Sequence, residues 1–142
     1  MDVSDLLQTK GDGVVVIGPN EPVTRAAQVM MDNKIGAIVV VDELGQVVGI
    51  ISERDIATAV STQCNFLHLR KVEDLMTRRV VTCSQNDCVP EILLNMSSNH
   101  VRHIPVVENG KPIGMIGMRD IADFWLVAQE KEIVRLQNAA AV

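Results

Sequence analysis

The chain has almost no aromatic side chains. Of 142 residues, one is tryptophan, two are phenylalanine and none is tyrosine. Few rings are therefore available for stacking bases. A formal charge of −5 also removes the cationic footprint that nucleic-acid binding uses. With apolar residues at 47%, the core has to be built from Val, Ile, Leu, Met and Ala. No apolar run approaches the ~18 residues of a membrane span. The start, Met1-Asp2-Val3-Ser4-Asp5, lacks a basic region followed by an apolar stretch, so no signal peptide is expected. Cysteine is scarce and odd in number. Cys64, Cys83 and Cys88 form no C-x-x-C, which points to reduced, structural thiols in a cytoplasmic protein. Gly-x-Ser-x-Gly, His-Glu-x-x-His and Walker A patterns are missing. His100 and His103 are three apart where the chain reads as the start of a strand, and strand alternation puts them on opposite faces. The expectation is a protein that is not an enzyme and holds no metal.

What the chain does have is a repeat. Gly49-Ile50-Ile51-Ser52-Glu53-Arg54-Asp55-Ile56-Ala57 returns as Gly114-Met115-Ile116-Gly117-Met118-Arg119-Asp120-Ile121-Ala122. In each copy an apolar strand runs into a polar turn and then a helix. Two readings fit Ser52-x-x-Asp55. It is a helix cap, with the carboxylate at the positive end of the helix dipole. The same geometry also serves as an anion site, in which free N–H groups and a hydroxyl meet a phosphate and the carboxylate accepts from ribose hydroxyls.

The rest of each half follows the same order. A short amphipathic helix at Val3 to Leu7 or Val72 to Met76 precedes a β-branched run, Val14 to Ile17 or Val80 to Thr82. Gly11-Asp12-Gly13 reads as a turn. A helix starts near Asn20-Glu21-Pro22, with the proline early in it, or near Asn86-Asp87. Val23, Ala26, Ala27, Met30 and Met31, and in the second copy Val89, Ile92, Leu93 and Met96, recur at helical spacing and read as core. Ile35 to Asp42 aligns with Val101 to Glu108. A turn at Gly45 or Gly110 then leads to Val47 to Ile51 or Pro112 to Ile116, a hairpin pattern. The expected organisation is 3–60, a polar linker over 61–71 with Phe66, Leu67 and Leu69 available to pack, a second unit over 72–128, and a helical extension over 129–142. In that extension Ile133, Val134 and Leu136 pack either on a partner chain or on the first half, and the chain frays from Asn138.

This doubled pattern resembles the CBS domain, present twice to form a Bateman module, as in small stand-alone bacterial two-CBS proteins. The motifs that carry it are Gly-x-x-Ser-x-x-Asp, Ile104-Pro105-Val106-Val107-Glu108, and the repeated strand–helix–strand–strand–helix order over about Val3 to Leu126. The resemblance implies an α/β (α+β) fold of two β-α-β-β-α repeats packed with pseudo-two-fold symmetry. It also implies a regulatory module that binds an adenosine ligand (AMP, ADP, ATP, NAD or S-adenosylmethionine) in the cleft between the repeats, with no catalytic cofactor. The family's ribose carboxylate falls on Asp55 and Asp120, and its phosphate-side hydroxyl on Ser52. The second copy departs here, with Gly117 in that place. Pro105 matches a position before the strand, near the adenine, and Arg102 and His103 match basic residues that meet phosphates. The expectation is one principal site built from Ser52, Arg54, Asp55, Arg102 and His103, and a secondary site near Arg119 and Asp120. Arg54 and Arg119 have an alternative reading as solvated arginines paired with nearby acids. The resemblance further implies a homodimer and a regulated partner protein. The rival reading is a constitutive dimeric interaction module that needs no nucleotide.

Overall fold

The computed structural model describes every residue except Asp12, Cys64 and Val142, with Gln63 described by its backbone alone. The first half contains α1 (Val3–Lys10), β1 (Val16–Ile17), α2 (Val23–Asn33), β2 (Ala37–Val41), β3 (Val47–Ser52) and α3 (Glu53–Gln63). After a 3-10 turn at Leu67–Leu69 come α4 (Val72–Leu75), α5 (Val89–Asn99), β4 (His103–Glu108), β5 (Lys111–Gly117) and α6 (Met118–Ala140). The α/β fold and the repeat are both present.

Local chemistry explains the matching boundaries. α2 and α5 end at Lys34 and His100, each with φ 55°, and each donates its N–H back to carbonyls of the last turn. β2 and β3 pair antiparallel with Ala37 opposite Ser52, and β4 and β5 pair with His103 opposite Gly117. Each hairpin carries a register shift at the same place, between Val40 and Val41 and between Val106 and Val107. The two hairpins are one design built twice.

One expected strand is missing. β1 runs parallel to β2, with Val16 beside Val39 and Ile17 beside Val40. Its counterpart at Val80 to Thr82 forms no strand. The chain meets β4 only at Cys83, whose N–H donates to the Pro105 carbonyl at 3.0 Å and whose carbonyl accepts from Val107 at 2.8 Å. A further rung, one residue earlier, would need an N–H at position 105. Proline has none, whereas its counterpart Val39 does. The chain before it is also engaged elsewhere, since Thr77 exchanges backbone hydrogen bonds of 2.8 and 3.0 Å with Ile50 of β3.

The core lies in two clusters, and the leading helices are exchanged between them. Val3 and Leu6 of α1 are buried with Val89, Ile92 and Met96 of α5, Ile104 and Val106 of β4, and Ile116 and Ile121. Val72 and Met76 are buried with Ile17, Ala26, Met30, Ile38 and Ile51 of the first half. Each of these Val, Leu, Ile and Met side chains contributes roughly 1.5–3 kcal/mol when removed from water. Neither half has a complete core without a helix from the other. The exchanged segments press close on the two motif glycines. A Cβ at Gly49 would sit 2.5 Å from the Met76 sulfur, and one at Gly114 would sit 2.5 Å from Leu7 Cδ2.

Other expectations need correction. Pro22 does not lie inside α2. It is the N-cap, with extended ψ of 146°. Phe66 and Leu69 of the connection, available to pack, remain 61% and 69% exposed. α3 continues through Gln63, into the stretch read as an irregular connection. α6 runs to Ala140, so Asn138 and Ala139, expected to fray, are helical. Ile133, Val134 and Leu136 are each more than half exposed, so they do not pack on the first half. Asp12 of the expected turn, Cys64 and the final Val142 lie outside the described residues.

Candidate nucleotide clefts

Both copies of the repeated motif end on a strand-to-helix turn, where the first N–H groups of the helix have no intrahelical partner. At Ser52, the backbone N–H and the hydroxyl donate to Asp55 Oδ2 at 2.8 and 3.0 Å, and the Asp55 N–H donates to Ser52 Oγ at 3.3 Å. The cap reading is therefore met. It uses one carboxylate oxygen only, and Oδ1 carries no hydrogen bond among the described residues. In the second copy the Gly117 N–H donates to Asp120 Oδ2 at 2.7 Å. Glycine offers no hydroxyl. Its place on the carboxylate is taken by Lys10, whose ammonium donates to Asp120 Oδ2 at 2.9 Å and also to the Met115 carbonyl.

Each turn opens on a cleft bounded by both halves. The smaller, about 320 Å³, is lined by Ser52, Arg54 and Asp55 from the first half and by Arg79, Arg102 and His103 from the second. The larger, about 960 Å³, is lined by Gly117, Arg119 and Asp120 with Arg102 and His103, and by Lys10 and Lys34 of the first half. Both volumes fall in the roughly 300–1,000 Å³ range of small-molecule sites. Arg102, His103 and Glu53 line both clefts. Arg54, Arg102 and Arg119 form no ion pair among the described residues, so Arg54 and Arg119 are solvated, as their alternative reading has it, but not paired with nearby acids. The ion pairs among those residues are Lys10–Asp120 and Glu132–Arg135.

His103 stands between the two clefts. A Cβ at Gly36 would lie 3.2 Å from its Cε1, and one at Gly117 would lie 3.3 Å from its Cδ2. The imidazole thus fills the space that two missing side chains leave. Burial lowers its pKa. The charges of Lys10 and Arg102 act in the same sense, and the carboxylates of Asp120 and Glu53 oppose it. The ring is therefore biased to its neutral form, with one nitrogen donating and the other accepting.

The structure brings Ser52, Arg54, Asp55, Arg102 and His103 to one cleft and Arg119 and Asp120 to the other. Pro105 lines neither. It is buried as the third residue of β4, opposite Met115, not ahead of the strand. Sequence reasoning missed Lys10, Lys34, Arg79 and Glu53. Lys10 carries no sequence signal, because only the exchange of α1 onto the second half brings it to Asp120. Among the described residues no His/Cys/Asp/Glu cluster could hold a metal ion, and no helix is long and apolar enough to cross a membrane. Cys83 and Cys88 are free thiols. Burial, reinforced by the charge of Asp87, pushes the Cys83 thiol up to about 12, where it is no nucleophile at neutral pH.

The CBS domain family model matches residues 3–62 and again 72–126. This chain belongs to the CBS domain family. An uncharacterised 17.7 kDa protein of Acidianus ambivalens is 37% identical over 121 residues, which cover 84% of this chain and 70% of the relative. Among solved structures, the CBS-domain containing protein ATU1752 from Agrobacterium tumefaciens superposes with a TM-score of 0.83 at 38% identity, over 87% of this chain and 98% of that one. The CBS domain pair of protein MJ0100, in complex with 5′-methylthioadenosine and S-adenosyl-L-methionine, superposes with a TM-score of 0.78 at 28% identity, over 88% of this chain and 95% of that one. The chain is thus a tandem CBS repeat, similar in fold to a pair solved with adenosine-derived ligands.

Proposed function

We propose that this CBS pair is a non-catalytic, cytoplasmic regulatory module that binds an adenosine nucleotide (AMP, ADP, ATP or NAD) in the clefts between its repeats. One observation carries this reading. The same helix-start carboxylate, with one oxygen held by the backbone and the other free, faces a two-sided cleft twice, and arginines without ion pairs line each cleft. The free carboxylate oxygen accepts from ribose hydroxyls, and the arginine forks donate in pairs to phosphate. The adenosine-derived ligands of the MJ0100 pair support the same assignment. Because Arg102 and His103 reach both clefts from the second half, a bound nucleotide ties that half to the first. It changes their relative angle as far as its affinities for the two arrangements differ. A second protein reads the altered surface.

The rival, a constitutive dimeric module, draws its support from α6. Leu126, Val127, Ile133, Val134 and Leu136 are each at least half exposed along that helix, and in both readings they serve to pair two copies. Thermal unfolding with AMP, ADP, ATP and NAD, on the unaltered chain and on Asp55→Ala and Asp120→Ala, decides between them. A ligand at 100 times its dissociation constant stabilises by about 2.7 kcal/mol, several degrees for a chain of this size. That shift is expected with at least one nucleotide, smaller in each single variant and lost in the double. No shift with any of them leaves the constitutive module.

A further inference from the structure

We infer that Lys10 sets the ligand class of the larger cleft, restricting it to nucleosides that carry a negative charge beside the ribose and excluding those that carry a positive one. The inference rests on the nucleotide reading of the clefts. The two repeats present the same carboxylate with different neighbours. Asp55 Oδ2 is held by neutral donors alone, the N–H and hydroxyl of Ser52. Asp120 Oδ2 is held by the Gly117 N–H and by a full positive charge, the Lys10 ammonium at 2.9 Å. That ammonium also donates to the Met115 carbonyl, so two of its three donors are fixed. The third is free for a ligand oxygen, and the side chain is still 34% exposed on the cleft. A ribose that reaches the free Asp120 oxygen therefore comes to rest beside Lys10.

The surrounding charge acts in the same direction. The larger cleft is lined by Lys10, Lys34, Arg102 and Arg119 against the carboxylates of Glu53 and Asp120. A phosphorylated nucleoside gains a charge-assisted hydrogen bond from Lys10. A sulfonium nucleoside such as S-adenosylmethionine meets like charge at the same spot. In the smaller cleft no cation sits on the Asp55 carboxylate, and the positive charge comes instead from Arg54, Arg79 and Arg102 against Glu53 and Asp55, so Lys10 has no counterpart there.

The test isolates the larger cleft with Asp55→Ala and measures AMP and S-adenosylmethionine by titration calorimetry, with and without Lys10→Met. Methionine keeps the unbranched stem, one atom shorter, and removes the charge. With effective dielectric and solvent exposure taken together, the ratio of AMP to S-adenosylmethionine affinity is expected to fall about tenfold in Lys10→Met. Lys10→Arg keeps the charge and should keep most of the preference, which separates the charge from any effect on folding. An unchanged ratio in Lys10→Met overturns the inference and leaves the nucleotide reading standing. So does binding that Asp55→Ala abolishes altogether, because the larger cleft then takes no nucleotide. If neither compound binds the unaltered chain, ADP, ATP and NAD take the place of AMP in the same comparison, and if none of them binds either, the nucleotide reading falls and this inference falls with it.

Discussion

In the first repeat Ala37 faces Ser52 across the hairpin, and in the second His103 faces Gly117. The backbone register is the same in both, down to the position of the bulge. What has changed is which side of the pair carries the bulk and the polar group. The first repeat puts a methyl on one strand and a hydroxyl on the other. The second puts an imidazole on one strand and nothing on the other. Read along the sequence, Gly117 is a lost hydroxyl. Across the ladder it is the space His103 occupies, and the imidazole walls both clefts as a result. The second turn then recruits Lys10 in place of the serine hydroxyl. The two turns thus have one backbone plan and different polar chemistry.

The largest effect should test whether the two halves are one folding unit. Ile38 and Ile104 are equivalent and both fully buried, one in each cluster. Ile38→Ala and Ile104→Ala should each cost about 2–5 kcal/mol by lost burial and cavity. Because α1 and α4 complete the opposite cores, both variants should still unfold in a single denaturant transition. A variant that unfolds in two steps, with one half surviving, would break the exchanged-core picture.

A smaller effect separates the motif glycines. A methyl at Gly49 meets the Met76 sulfur at 2.5 Å and the Thr77 backbone carbonyl at 3.1 Å, whereas at Gly114 it meets only the Leu7 side chain. The tip of a leucine can turn aside and a backbone carbonyl cannot. Gly49→Ala should therefore cost about 1–3 kcal/mol, and Gly114→Ala less. Equal losses in thermal melts would mean that Met76 and Leu7 yield alike.

Much of this fold was legible because local and tertiary signals agreed. The apolar stripes of α2 and α5, the hairpins and the repeated turn all follow from periodicity and turn chemistry. The missing strand at Val80 to Thr82 was not, because its failure depends on a partner residue more than twenty positions away that happens to be proline. The candidate cleft was legible in its parts. Ser52, Arg54, Asp55, Arg102 and His103 meet at one cleft as the motif implied, and Pro105 stays in the core. Lys10 lay beyond reach for a different reason. Nothing near it in sequence resembles a site, and only the packing of α1 across the molecule brings it to Asp120.

The smallest expected effect is the most direct test of the comparison. Gly117→Ser restores the hydroxyl of the first repeat but places a Cβ 3.3 Å from His103 Cδ2. A contact that tight forces the ring to give. The added Cβ is also 3.2 Å from Asp120 Oδ2, yet Ser52 and Asp55 accommodate each other in the same geometry, so the imidazole is the obstacle. Alone, Gly117→Ser should cost about 1 kcal/mol. His103→Ala removes the obstacle and rebuilds the Ala37–Ser52 pair in the second repeat. In that background Gly117→Ser should cost nothing or stabilise slightly, a coupling of about 0.5–3 kcal/mol in a double-mutant cycle read from denaturant unfolding. Strict additivity would mean that His103 and Gly117 are independent features, and that the second repeat lost its hydroxyl without the imidazole taking its place.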